Sequence, residues 1–326
     1  MFQLLTAKWV TSAVSAAARL GVADHLESEP KSTQELAEKL KVNEAALYRL
    51  LRSTASVGVF HEEDGRRFSQ TPLSDLLRSG AQPCLRNFAM MMSDPWHMKC
   101  WSELNWAVET GRPAAFKAYG MSGFEYFSQN PAEAVNFNNA MTDLSLGDGP
   151  AVVASYDFSP FGHIVDVGGG LGGLLAAVLA ANPTVKGTLF DMPYVIDQAA
   201  KAPLLAPYTD RCTFIGGSFF DSVPSADAYI MKYIIHDWDD EHSNKILTHC
   251  RKGIREGGKL LVVDRVVGPP NQPDLTKFMD LEMMVLPGGL ERDETEWRAL
   301  FAANGFRLEN VIRTHGPMCI MEGAPV

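Results

Sequence analysis

The chain has 326 residues, 46% hydrophobic and 21% charged, the composition of a globular protein with room for two domains. Its net charge of −10 sits wholly in residues 96–326, because residues 1–95 carry 11 Lys/Arg and 11 Asp/Glu; neither part has a basic nucleic-acid face, and a small-molecule substrate fits better than a polyanion. The five scattered cysteines (Cys84, Cys100, Cys212, Cys250, Cys319) form no C-x-x-C pair, no run reaches the ~18 apolar residues of a membrane helix, and no basic segment precedes an unbroken apolar block at the N-terminus, so the expectation is reduced thiols in a cytoplasm, no membrane span and no secretory signal.

In chain order, Leu4, Leu5, Trp9, Val10, Val14, Leu20, Val22 and Leu26 predict one helix or two over 4–27. Ser32-Thr33-Gln34-Glu35 is a capping box that opens a short helix through Leu40. Asn43 caps a second helix, roughly 44–57, with Leu47, Leu50, Leu51 and Val57 inward. Asp64-Gly65 between two strand-like runs signals a hairpin. Together these make a winged-helix pattern. Its second helix carries only Arg49 and Arg52 against Glu44, too little for DNA recognition, so a dimerisation or substrate-covering module is favoured.

Residues 84–155 read as helical and rich in Met and aromatic side chains. From 163 onward, strands (163–167, 186–190, 212–215, 226–231, 259–264, 307–312, 317–321) alternate with helices (about 171–181, 193–202, 239–255, 294–304). That alternation predicts an α/β domain, a mostly parallel sheet with helices on both faces. The expected organisation is a winged-helix-like module over 1–95, a helical bridge over 96–155 that lines a substrate pocket, and a nucleotide-binding α/β domain over 156–326.

The stretch "HIVDVGGGLGGLLAAVL" is strand, glycine turn, helix. Backbone amides at the helix start face the crevice at the strand ends, and glycine permits both the tight turn and close ligand approach. Gly168, Gly170 and Gly173 match G-x-G-x-x-G, as in a nicotinamide enzyme; Gly168-x-Gly170-x-Gly172 suits a nucleoside loop that need not hold a pyrophosphate, and the glycines alone do not choose. Two acids discriminate. Asp166, just before the loop, can meet an ammonium group, and Asp191, ending the second strand in "GTLFDMP", can accept both hydrogen bonds of a ribose diol. S-adenosyl-L-methionine (SAM) has both groups.

The chain resembles the SAM-dependent O-methyltransferases of the caffeate and hydroxyindole type, including bacterial members that methylate aromatic natural products. The resemblance runs nearly end to end, through the winged-helix region, "FKAYGMSGFEYF", "VDVGGGLGG", "GTLFDMP", "MKYIIHDWDDEH", "GGKLLVVD" and "PGGLERDETEW". It implies a class I methyltransferase domain, a Rossmann-like seven-stranded sheet, behind a mostly helical N-terminal dimerisation domain. It also implies a homodimer joined by N-terminal helices, with S-adenosyl-L-homocysteine as the coproduct. By the same resemblance Gly168 and Gly170 lie beneath SAM, Asp191 holds its ribose, Lys232 lies near its adenine end and Ser145 near its methionine part. His236 is the implied catalytic base, with Asp264 and Glu291 flanking it. Two positions depart from the family pattern: Ser218 stands where an acid often meets the adenine amino group, although Phe219 can still pack on the ring, and Asp264 is one methylene shorter than the commoner Glu.

A free phenol has a pKa of about 10, so a neutral His236 (reference about 6.5) would take its proton as oxygen attacks the sulfonium methyl in line. Asp264 or Glu291 would then hold the other ring nitrogen. The acids at 239–241 fall in a first helical turn, where side chains diverge and complement the helix dipole, which argues against a metal shared with His236 and His242. Met91, Trp96, Phe137, Met141, Met283 and Met284 are candidate walls for a planar aromatic guest. The competing functions are a non-methylating member of the same fold, a nicotinamide oxidoreductase, and a ligand-binding DNA regulator.

Overall fold

A computed structural model describes residues 1–326, apart from the side chain of Ser145. The chain divides into two compact units. One comprises Met1–Ser102 with Phe127–Gly147, the other Glu103–Tyr126 with Asp148–Val326. The residues 96–155 are thus shared between the two units rather than forming a body of their own.

In the first unit a helix over Phe2–Leu20 stops at Gly21, whose φ of 69° lets the chain turn in the left-handed region. The Ser32 capping box opens Thr33–Leu40, and Asn43 accepts from the Ala46 amide to open Glu44–Ala55. Strands Lys31–Ser32, Arg67–Ser69 and His61–Glu63 pair antiparallel in that order, so the predicted wing gains a third strand. Leu36, Leu47, Leu51, Phe60 and Phe68 fill the core beneath it.

The second unit is built on a seven-stranded sheet: β1 (His163–Val167), β2 (Lys186–Asp191), β3 (Cys212–Gly216), β4 (Ala226–Lys232), β5 (Ile254–Asp264), β6 (Phe306–Arg313) and β7 (Cys319–Pro325). Their order is β3-β2-β1-β4-β5-β7-β6, with β7 antiparallel to both neighbours and the first five strands parallel. Apolar cores lie on the two faces, one around Ile164, Leu175, Leu189 and Ile230, the other around Val165, Tyr229, Val262, Trp297 and Phe301. Burial on both sides explains the unbroken apolar runs of β4 and β5. The strand order reverses between β1 and β4, which opens a crevice outside their carboxyl ends.

Two local features fall outside the sequence reading. The strand expected over 226–231 is β4, which ends at Lys232, although the apolar run continues through Ile235. Tyr233 adopts φ 57°, its amide donates to Val263 O at 3.2 Å, and Ile235–Asp237 form a single 3-10 turn. The apolarity of Ile234 and Ile235 reflects packing under that turn, not a strand. A helix over Thr276–Val285 was not anticipated either; Met283 and Met284 lie on it.

Candidate active site

The glycine turn joins β1 to a helix over Gly173–Ala181. Gly168, Gly170 and Gly172 all have positive φ, which a Cβ would strain. At Gly168 a Cβ would also stand 2.5 Å from Ile234 Cδ1, whereas at Gly170 it would meet nothing within 4 Å. The loop is therefore pressed against the 233–237 turn on one side and open on the other. Asp191, at the end of β2, accepts from the Gly170 amide at 2.8 Å and the Met192 amide at 2.6 Å. Burial raises its pKa against the effect of those two amides.

Asp166 is 1% exposed, and its Oδ2 has no hydrogen-bond partner. Burial lifts its carboxyl to about 7 although Lys232 pulls the other way. Lys232, at the end of β4, is itself buried, and desolvation lowers its ammonium to about 8 against the pull of Asp148, Asp166 and Asp264. Its Nζ lies 3.9 Å from Asp148 Oδ2 and 4.1 Å from the centre of the Tyr233 ring. Lys232 thus links the glycine-loop acid to the acids of the next cluster. Ser218 spends its hydroxyl on its own turn, accepting from the Phe220 amide at 3.2 Å. Phe219 packs edge-on against Trp238 at 6.1 Å. The side chain of Ser145 lies outside the described residues.

His236 sits on the 3-10 turn, 6% exposed. Its Nδ1 is 2.9 Å from Glu291 Oε1 and 3.4 Å from Asp264 Oδ1, and both carboxylates are fully buried. Ionised carboxylates only accept, so Nδ1 carries a proton and Nε2 is left as the basic nitrogen of the neutral ring. Nε2 lies 3.5 Å from Asp237 Oδ1. Asp264 Oδ2 also accepts from the His236 amide at 3.3 Å, and the Tyr233 ring stacks on the imidazole at 5.3 Å. Burial alone would lower the imidazole pKa, but Asp264, Asp237 and Glu291 outweigh it and lift it to about 10. Burial pushes the carboxyls of Asp264 to about 7 and of Asp237 to about 6, each against the attraction of the imidazole. Protons in such a set belong to the group as a whole.

His236, Asp264 and Glu291 also form a compact set of metal-capable ligand atoms. The short Nδ1–Glu291 contact and the three carboxyls around one ring account for the arrangement as a hydrogen-bonded acid–imidazole cluster. The acidic run that follows is separate. Asp239 caps the helix over Asp240–Gly253, accepting from the His242 amide at 2.9 Å, and Asp240 and Glu241 form its first turn.

The candidate pocket residues fall into two groups. In the first unit Trp96 meets Phe127 edge-on at 4.8 Å and Phe137 at 6.3 Å, Phe127 stacks on Phe137 at 4.6 Å, and Met91 is buried while Met141 is half-buried. In the second unit Met283 is buried and Met284 half-buried.

Comparison with known proteins decides the family. An O-methyltransferase domain model matches residues 101–307, and an O-methyltransferase dimerisation domain model matches residues 2–80. The chain belongs to the O-methyltransferase family. Among its relatives, the phenazine O-methyltransferase of Lysobacter antibioticus is 40% identical over 327 residues, covering 100% of this chain and 96% of that protein. The mitomycin biosynthesis 6-O-methyltransferase of Streptomyces lavendulae is 36% identical, covering 98% of this chain and 92% of that one. Human N-acetylserotonin methyltransferase in complex with SAM superposes with a TM-score of 0.91 at 26% identity, covering 99% and 96% of the two chains. The seven-stranded sheet and helical N-terminal region expected of an O-methyltransferase are both present. Among the described residues, no helix of the chain is long and apolar enough to cross a membrane.

Proposed function

We propose that this O-methyltransferase moves the methyl group of SAM to a hydroxyl of a small aromatic compound, with His236 as the base. Family membership supplies the reaction class and the cofactor. The observation that carries the rest is an imidazole whose Nδ1 is held by two buried acids, on a turn that abuts the glycine loop. Relatives named for phenazine, mitomycin and 3-amino-4-hydroxybenzoate substrates support an aromatic acceptor.

The residues of the crevice fit SAM. The unpartnered, buried Oδ2 of Asp166 suits a cationic amine, the open side of Gly170 suits a ligand seated on the backbone, and Asp191 suits a diol. Gly168, Gly170, Ser145, Ser218, Phe219 and Lys232 complete the proposed cofactor contacts. When bound, SAM supplies an electrophilic methyl on a sulfonium that needs no further activation. His236 Nε2 receives the hydroxyl proton, while Glu291 and Asp264 fix the tautomer and stabilise the imidazolium. The acids about the ring make Nε2 a stronger base than a free imidazole, which favours taking a phenol's proton. Met91, Trp96, Phe137, Met141, Met283 and Met284 are proposed to hold the ring, because their apolar, polarisable surfaces suit a planar guest.

The protein is proposed to act as a cytoplasmic homodimer. Phe2, Leu4, Leu5, Trp9 and Val10 are exposed on the first helix, in the segment matched by the dimerisation model, and exposed apolar clusters of that kind favour burial against another chain.

Calorimetric titration with S-adenosylhomocysteine, followed by turnover of a panel of phenols with SAM, tests the proposal. Binding of the nucleoside and methylation of at least one phenol are expected. Binding without methylation of any hydroxyl would leave the fold and refute the assigned chemistry.

A further inference from the structure

We infer that Arg292 is a positioning residue for the reaction, a buried guanidinium that holds the turn carrying His236; this rests on the proposed role of His236 as base. Arg292 is 1% exposed and follows Glu291 directly in the chain. Its Nη1 donates to Ile235 O at 3.3 Å and Leu290 O at 3.5 Å. Its Nη2 donates to Trp238 O at 3.2 Å, Asp240 Oδ1 at 2.7 Å and Ser243 Oγ at 3.3 Å, and its Nε donates to Asp240 Oδ1 at 3.2 Å. The carbonyls of Ile235 and Trp238 bracket the 3-10 turn of His236, so one fork grips the turn at both ends. The cation also lies over the Trp297 ring at 5.5 Å, which limits its own movement.

The same loop touches that turn twice more. A Cβ at Gly289 would run into the His236 carbonyl oxygen and the backbone of Asp237 and Trp238, so loop and turn pack backbone on backbone. Glu291 reaches the imidazole itself, and the Glu291 amide is anchored by Asp280 Oδ1 at 2.8 Å. Residues 289–292 therefore form one rigid piece that sets both the height of the His236 turn and the 2.9 Å Nδ1–Glu291 contact. A five-donor planar fork can satisfy divergent carbonyls and a carboxylate together; an ammonium cannot.

Arg292→Lys is the test, since it keeps the charge near the imidazole and removes only the fork. The groups facing His236 are Asp237 on its own turn, Asp264 at the end of β5, Glu291 on the loop and the Tyr233 ring. None is altered, so a change in the imidazole reports geometry. The expected result is a plateau kcat, read above the rising limb of the pH profile, lowered about tenfold or more, with KM and S-adenosylhomocysteine affinity within about threefold. The NMR titration midpoint of His236, assigned by its disappearance in His236→Gln, should fall by about one pH unit as the acid contacts lengthen. Full kcat, or a lowered kcat with an unmoved midpoint, overturns the inference. Should Arg292→Lys not fold, Asp240→Ala removes the fork's exposed outer anchor and is expected to lower the plateau kcat about two- to tenfold at constant KM; unchanged plateau kcat there overturns it equally. If His236 is not the base, His236→Gln retains turnover whatever the midpoint does in Arg292→Lys, so the two failures are distinct.

Discussion

Glu291→Gln removes one negative charge from the imidazole cluster and leaves its shape. Glu291 is fully buried, with Oε1 2.9 Å from His236 Nδ1, while Asp264 Oδ1 stands farther off at 3.4 Å. A hydrogen bond to a charged group contributes about 1.5–3 kcal/mol net. Glutamine's carbonyl can still accept the Nδ1 proton, and Asp264 still faces it, so the loss belongs near the lower end: the plateau rate should fall roughly ten- to thirtyfold. The pH dependence has a definite sign. The base must be unprotonated, so the wild-type rate rises with pH through the imidazole pKa, raised to about 10 by Asp264, Asp237 and Glu291 against burial. Without the Glu291 charge that pKa drops, and the rising limb moves to lower pH while the plateau descends. The assay is single-turnover methylation at saturating SAM and phenol, followed across pH, with S-adenosylhomocysteine affinity as a control that should not change. A phenol acidified by an electron-withdrawing group, already ionised at neutral pH, should lose much less. An unmoved limb and plateau with a weakly acidic phenol would refute the role given to Glu291.

Three further outcomes are expected. His236→Ala should lower kcat about 10²- to 10⁴-fold for an un-ionised phenol while S-adenosylhomocysteine affinity, read by calorimetry, stays within about threefold. Asp191→Ala should weaken nucleoside binding by about tenfold or more, because it removes both the proposed diol acceptor and the brace on the Gly170 amide; equal affinity would place the diol elsewhere. Gly168→Ala forces a side chain into φ 70° and against Ile234, so urea denaturation should show a loss of about 1–3 kcal/mol together with weakened nucleoside binding.

The sheet was legible because parallel strands buried on both faces leave short apolar runs, and glycine and proline punctuate them. "HIVDV" and "KGTLF" start and end almost where β1 and β2 do, and the Ser32 and Asn43 caps mark helix starts by their own chemistry. The same rule says nothing of the turn that follows β4. Apolarity reports burial, not extension, and nothing in "YII" announces that Tyr233 adopts a left-handed conformation. Within the site, the acid pair about His236 was reached through resemblance, since spacings of 28 and 55 residues carry no local signal. Arg292 was passed over because a charged residue in a polar loop reads as exposed; only the fold turns it inward. Asp148 and Tyr233 belong to the Lys232 neighbourhood for the same non-local reason.

The acidic stretch after β4 shows how one run of charge serves two purposes. Asp239, Asp240 and Glu241 open a helix, and Asp240 doubles as the outer anchor of Arg292. Asp237, two residues earlier, instead faces Nε2 of His236, the nitrogen proposed to accept the substrate proton. A hydroxyl arriving at Nε2 therefore meets a carboxyl at 3.5 Å from that nitrogen, whose own pKa burial has raised to about 6. The chain has thus put all three carboxyls of the cluster within reach of one imidazole, two on the side that fixes the ring and one on the side that reacts. Their combined charge, more than any single contact, is what raises the imidazole's basicity, as the proposed role of His236 requires.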